Sequence, residues 1–128
     1  MNPAALKIDK AKLKARQERY QRDPLPIQLG NLASNLARLK SFAQRPELSE
    51  AAQRVVYESK HFSEWAAGAA DLATQVELRA LQRQLARWQL CWTTLWDDAQ
   101  QRLALAATAE TWSQRMLACS GLLTTEQG

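Results

Sequence analysis

Glu58-Ser-Lys-His61 sets a carboxylate and an imidazole three residues apart. On a helix this spacing turns both groups to one side, and it is the ligand pair from which di-iron carboxylate sites in helical proteins are built. Such a site uses two of these pairs plus a Glu from each of two further helices. The chain has a single histidine, and residues 26–44 hold no acid at all. His61 also falls about 120° from the apolar seam of its own helix, toward solvent. A surface histidine near Glu58 and Glu64 is therefore expected, with no metal site.

Catalytic constellations are equally sparse. One histidine allows one His-based dyad, and neither Cys91 nor Cys119 has a neighbour that would activate its thiol. Paired carboxylates occur only as Asp97-Asp98, which helix capping explains, and no glycine-rich phosphate loop is present. The expectation is a protein that is not an enzyme, with no catalytic residue and no cofactor.

RWQLCWTTLW, residues 87–96, contains three of the five tryptophans. At 100° per residue Trp88, Trp92 and Trp96 form a band, and the first two continue a seam of Leu81, Leu85 and Leu95. A stacking platform for nucleic-acid bases would instead set aromatics among basic residues on an open surface. The band reads as core, packed against the small residues Ala66, Ala67, Ala69 and Ala70 and the set Ala104, Ala106, Ala107 and Ala109. Trp96 at the edge of the band, together with Trp65, is the candidate for an exposed aromatic contact.

The basic groups fall into two sets. Lys7, Lys10, Lys12, Lys14, Arg16, Arg19 and Arg22 face only Asp9 and Glu18 within residues 1–22, so this arm carries +5 of the total charge of +4 and the remainder −1. The arm reads as a solvated, partly disordered extension, as a docking segment for an acidic protein surface, or as a contact for nucleic acid or anionic lipid. Arg79, Arg83 and Arg87 recur every four residues on the side of their helix away from the tryptophans. They form a solvated face, or they pair with acids on a partner or symmetry mate, because like charges at this spacing repel.

The elements that position these residues are helical. Gly and Pro number four each, and nowhere do apolar and polar residues alternate as a strand requires. Leu6, Leu13 and Tyr20 give the arm one thin apolar stripe, and Asp23-Pro24-Leu25-Pro26 breaks it from the next helix. The seams Leu25–Leu29–Leu32–Leu36–Leu39–Ala43, Leu48–Ala52–Val55–Ser59–Phe62–Ala66–Ala69, Leu78–Leu81–Leu85–Trp88–Trp92–Leu95 and Leu105–Ala109–Trp112–Met116–Cys119 all step by threes and fours. Val56, Trp65, Leu103, Ala106 and Leu117 widen them. The fold class expected is all-α: an antiparallel four-helix bundle with core helices at about 26–44, 47–67, 71–96 and 98–120, preceded by a basic helical or partly disordered N-terminal arm. A break or kink is expected between 67 and 74, where the next helix has two start signals, Asp71 as a cap and Thr74-Gln-Val-Glu77 as a capping box, and Gly121 should end the last helix. The organisation is a basic arm over 1–23, a bundle over 24–123 and a frayed tail over 124–128.

No window approaches the roughly 18 consecutive apolar residues of a membrane span, and the amino terminus lacks a hydrophobic signal core. A soluble, cytoplasmic protein is expected. Cys91 and Cys119 read as small buried apolar residues, too far apart along a helical hairpin for a disulfide.

LGNLASNLARLKSF, ESKHFSEW and LQRQLARWQ, within residues 25–120, resemble stretches of a group of small, uncharacterised all-helical proteins of cyanobacteria. The resemblance implies a bacterial cytoplasm and an accessory role, and it supplies no activity, cofactor or catalytic residue. The function expected is that of a helical interaction, adaptor or regulatory protein that binds another protein through its bundle faces and its arm, with a homodimer possible. The candidate contacts are Lys7, Lys10, Lys12, Lys14, Arg16, Arg19, Arg79, Arg83, Arg87, Trp65 and Trp96. The alternatives are nucleic-acid or anionic-surface binding through the arm, and a small apolar ligand beside Trp88, Trp92 and Trp112.

Overall fold

A computed structural model describes residues 9–121, and among them there are helices and no strands. α1 (Lys10–Arg22) starts at Asp9, whose carboxylate accepts the Ala11 N–H at 2.7 Å. α2 (Leu25–Phe42) comes directly after it, with Pro26 in its first turn, where a missing N–H costs nothing. A single 3₁₀ turn, Pro46–Leu48, leads into α3 (Ser49–Ala67). α4 (Leu72–Leu90) is capped by Asp71, which accepts the Thr74 N–H at 2.8 Å. α5 (Trp92–Asp97) is short. α6 (Ala99–Ser120) starts at Asp98 and stops at Gly121, whose φ of 75° suits a residue without a side chain.

Among the described residues six α-helices thus stand where four and an arm were expected. The extra element arises at Cys91, where φ/ψ of −109°/15° interrupts the expected helix 71–96. Two consecutive β-branched residues, Thr93 and Thr94, weaken helix propensity just beyond it. The break between 67 and 74 is present, at Gly68–Asp71.

α2 packs against both α6 and α3, and α3 also packs against α4. Cross-links fix these pairs as antiparallel. Ser113 donates to the Ala33 carbonyl while Lys40 meets Glu110 at 3.0 Å, so α6 runs down as α2 runs up. Likewise Gln75 donates to the Ala67 carbonyl near one end of the α3–α4 pair, and the Trp92 indole donates to Ser49 Oγ near the other.

The seams read from the sequence line the core. Leu29, Leu32, Leu36 and Leu39 of α2, Leu78, Leu81 and Leu85 of α4, and Leu105 and Met116 of α6 are essentially without solvent contact. Each contributes about 1.5–3 kcal/mol by leaving water. Of the alanines expected opposite the tryptophans, Ala66, Ala106 and Ala109 are buried, whereas Ala69, Ala104 and Ala107 face outward. α4 and α6 are joined by the Arg115–Glu77 ion pair.

Candidate functional site

α1 is not a loose extension over the described residues. Its only strongly apolar positions, Leu13 and Tyr20, turn inward onto α3 and α2. The Tyr20 ring stacks on Phe62 with centroids 4.2 Å apart, and its hydroxyl donates to the Gln28 carbonyl at 2.5 Å. Burial, with the nearby Asp23 charge adding to it, pushes the Tyr20 hydroxyl far above the usual phenol range. Gln21 donates to the Trp65 carbonyl, and Arg16 reaches Glu58 at 3.1 Å. Lys7 lies outside the described residues.

This docking corrects the expectation for Trp65. The indole is 9% exposed, because Tyr20 lies against it at 5.8 Å and His61 stacks on it at 5.3 Å. Trp96 is corrected too, at 4% exposed. The interruption at Cys91 re-phases α5, so Trp96 stacks on Trp92 at 5.1 Å and its indole donates to the Pro46 carbonyl at 2.7 Å. Arg102 closes over it from α6, donating to the Trp96 carbonyl. Neither tryptophan is open to a partner.

Glu58 and His61 serve separate purposes. Glu58 joins three helices, accepting from Asn35 of α2 at 2.9 Å and pairing with Arg16 of α1. His61 packs edge-on against Tyr57 and lies 3.9 Å from Glu64. Burial lowers its pKa, Lys60 and Arg16 add to the effect, and Glu64 opposes it. Among the described residues no three potential ligands of a metal ion come together. Cys91 is exposed at the α4–α5 junction, which corrects its expected burial, and Cys119 is partly buried with its thiol pushed up by that burial. Both cysteines are free.

A cleft of about 150 Å³ opens between α6 and the α4–α5 segment, lined by Trp88, Leu95, Gln101, Ala104, Leu105 and Thr108. Pockets that enclose drug-sized ligands begin at about 300 Å³. Trp112 is buried elsewhere along α6, with the Arg115 guanidinium 4.1 Å above its ring.

The two sets of cations remain exposed. Lys10, Lys12, Lys14, Arg19 and Arg22 line the outer side of α1, and of the α1 cations only Arg16 forms an ion pair among the described residues. On α4, Arg79, Arg83 and Arg87 face solvent, and no residue from 78 to 96 is acidic. Arg87 makes a long bond to Gln84, while Arg79 and Arg83 have no ion pair or side-chain hydrogen bond among the described residues.

Three apolar residues to which the sequence assigned no role share the α4 row. Leu72 is 77% exposed, Val76 59% and Leu90 85%. With the arginines they make the series 72, 76, 79, 83, 87, 90, which keeps within an arc of about 80° and lies opposite the buried Leu78, Leu81, Leu85 and Trp88. The spacing was available in the sequence, since this row steps by threes and fours as a core seam does.

No protein-family model, curated protein or solved structure matches the chain. Among the described residues, no helix is long and apolar enough to cross a membrane.

Proposed function

We propose that this is a non-enzymatic helical interaction or regulatory protein of the cytoplasm, which acts by binding another protein through the outward faces of α4 and α1. The observation that carries the reading is the surplus of exposed cations on two helices whose opposite faces are fixed in the core. Arg79 and Arg83 on α4, and Lys12, Lys14 and Arg19 on α1, form no ion pair among the described residues. They stand on helices, which set their spacing for a complementary surface.

The test is affinity capture from the native host with full-length bait and two charge-reversed baits, Lys12→Glu/Lys14→Glu/Arg19→Glu and Arg79→Glu/Arg83→Glu. Reversal is preferable to deletion, because removing α1 would uncover Trp65. Specific proteins held by the wild type and released by at least one variant with an unchanged thermal melt are expected. Identical capture by all three baits, or no specific capture, refutes the reading.

A second reading, polyanion binding through α1, is favoured by one observation: six exposed cations on a helix of 13 residues. Binding to nucleic acid that falls steeply with salt and is lost in the α1 variant would support it. Binding that is insensitive to both would remove it.

A further inference from the structure

We propose that the outward row of α4 is a docking surface for an acidic amphipathic helix of a protein partner, an inference that rests on the protein-binding function above and names its contact. Successive arginines of the row lie about 6 Å apart along the helix axis. Carboxylates at four-residue steps on an antiparallel helix repeat at the same pitch, so three pairs can form in one register. All three cations are arginines, whose planar guanidinium groups engage carboxylates through two parallel hydrogen bonds. In the free protein these like charges repel at four-residue spacing. An acidic helix would turn that repulsion into attraction.

The ends of the row define the rest of the partner. Leu72 and Val76 at one end and Leu90 at the other are exposed and span about 27 Å. A helix of about 20 residues, acidic at its centre and aliphatic at both ends, covers the whole row. The glutamines at 82 and 89 along one margin supply a neutral polar rim.

Other occupants fit the row less well. A second copy packed antiparallel about residue 81 would set Arg79 of one molecule against Arg83 of the other, so the central charges would repel. Helices that lie on a bilayer keep their basic residues on the face opposite the apolar one. Here arginines and aliphatic residues share one line, and burying Leu72 and Leu90 in lipid would drag the guanidinium groups to the same depth. Duplex nucleic acid presents a charge about every 1.7 Å and offers nothing to the aliphatic ends.

The test uses the full-length protein and a labelled, helix-stapled peptide of about 20 residues with Glu at three consecutive four-residue steps and Leu at both ends. A second peptide has Lys in place of each Glu. Fluorescence anisotropy should show binding of the Glu peptide alone. Arg83→Glu should weaken it about tenfold, and Arg79→Glu/Arg83→Glu/Arg87→Glu about a hundredfold while admitting the Lys peptide. Leu72→Ser/Leu90→Ser should weaken it about fivefold. Because the substituted side chains are exposed, all variants should keep the wild-type melt.

Equal affinity for both peptides, indifference to the triple variant, or no binding of the Glu peptide at about 1 mM overturns the proposal. So does a dimer in sedimentation that the triple variant dissociates, or wild-type binding to phosphatidylserine vesicles or duplex DNA that it abolishes when the Glu peptide does not bind. A host protein kept by the α4 variant and lost by the α1 variant would sink this inference and leave the proposed function standing. A host protein lost by neither sinks both.

Discussion

Tyr20→Ala should release α1 while leaving the rest of the protein folded. The magnitude is set by the contacts that hold α1 down. An aromatic side chain of this kind buries about 150–250 Å², which at about 25 cal/mol per Å² is about 4–6 kcal/mol before any relaxation. Large-to-small substitutions of buried aromatics cost about 3–5 kcal/mol, and the lower range is the safer one. The other ties are weak: Leu13 is only partly buried, Arg16–Glu58 is half exposed, and Gln21 makes one hydrogen bond. An exposed ion pair adds less than about 1 kcal/mol. A helix of 13 residues is marginal alone in water. Losing Tyr20 should therefore undock and melt it.

Hydrogen exchange reads this outcome directly. In the Tyr20→Ala variant the amides of Lys10–Arg22 should exchange as in an unfolded peptide, while those of α2, α3 and α6 stay protected. Trp65 emission should shift to the red as its cover leaves. Tyr20→Phe keeps the ring on Phe62 and loses only the bond to the Gln28 carbonyl, so it should cost about 1 kcal/mol and keep α1 in place. The reasoning fails if α1 stays as protected as α2 in the Ala variant, if the two variants are equally damaging, or if the whole chain unfolds together.

Three further outcomes are expected. Ser59→Ala should raise stability by about 1 kcal/mol in denaturant titration, since the Ser59 hydroxyl is buried with no hydrogen-bond partner among the described residues and Ala is the better helix former. Asp98→Ala should cost about 1 kcal/mol, because its carboxylate accepts from the Gln100 and Gln101 amides. Asp97→Ala should cost much less, its side chain making no such bond among the described residues. For His61 the folded pKa lies below the ordinary 6.5, so the unfolded chain binds the proton more readily. Stability should therefore fall as pH drops through 6.5 toward the folded pKa, and His61→Gln should flatten that slope in melts taken across the window.

Much of the fold was legible because burial in a helix leaves a period. The four seams were read from steps of three and four, and nearly every large residue on them is buried. Local caps were legible for the same physical reason: Asp71, Asp98 and Gly121 act on groups within a few residues. The interruption at Cys91 was harder, since the apolar seam runs through it without a change of period. Its trace in the sequence is the adjacent pair Thr93 and Thr94, a propensity signal that the strong seam Leu85–Trp88–Trp92–Leu95 outweighed.

The candidate site was legible in one half only, and the missed half shows what a seam leaves undetermined. Periodicity identifies the side of a helix that faces inward, but which outward rows stay open depends on distant segments. Trp65 and Trp96 sit at seam edges, where hydrophobicity alone suggests spare contact surface. One is covered by α1 from 45 positions earlier in the chain, and the other turns under the connection between α2 and α3, 50 positions away. Among the described residues no element covers α4's outer row, so Leu72, Val76 and Leu90 are exposed there beside three arginines. A single exposed leucine is ordinary on a protein surface. Three aliphatic residues sharing one line with three mutually repelling cations combine two unfavourable terms on one helix face, and an occupant that is acidic in the middle and apolar at the ends relieves both.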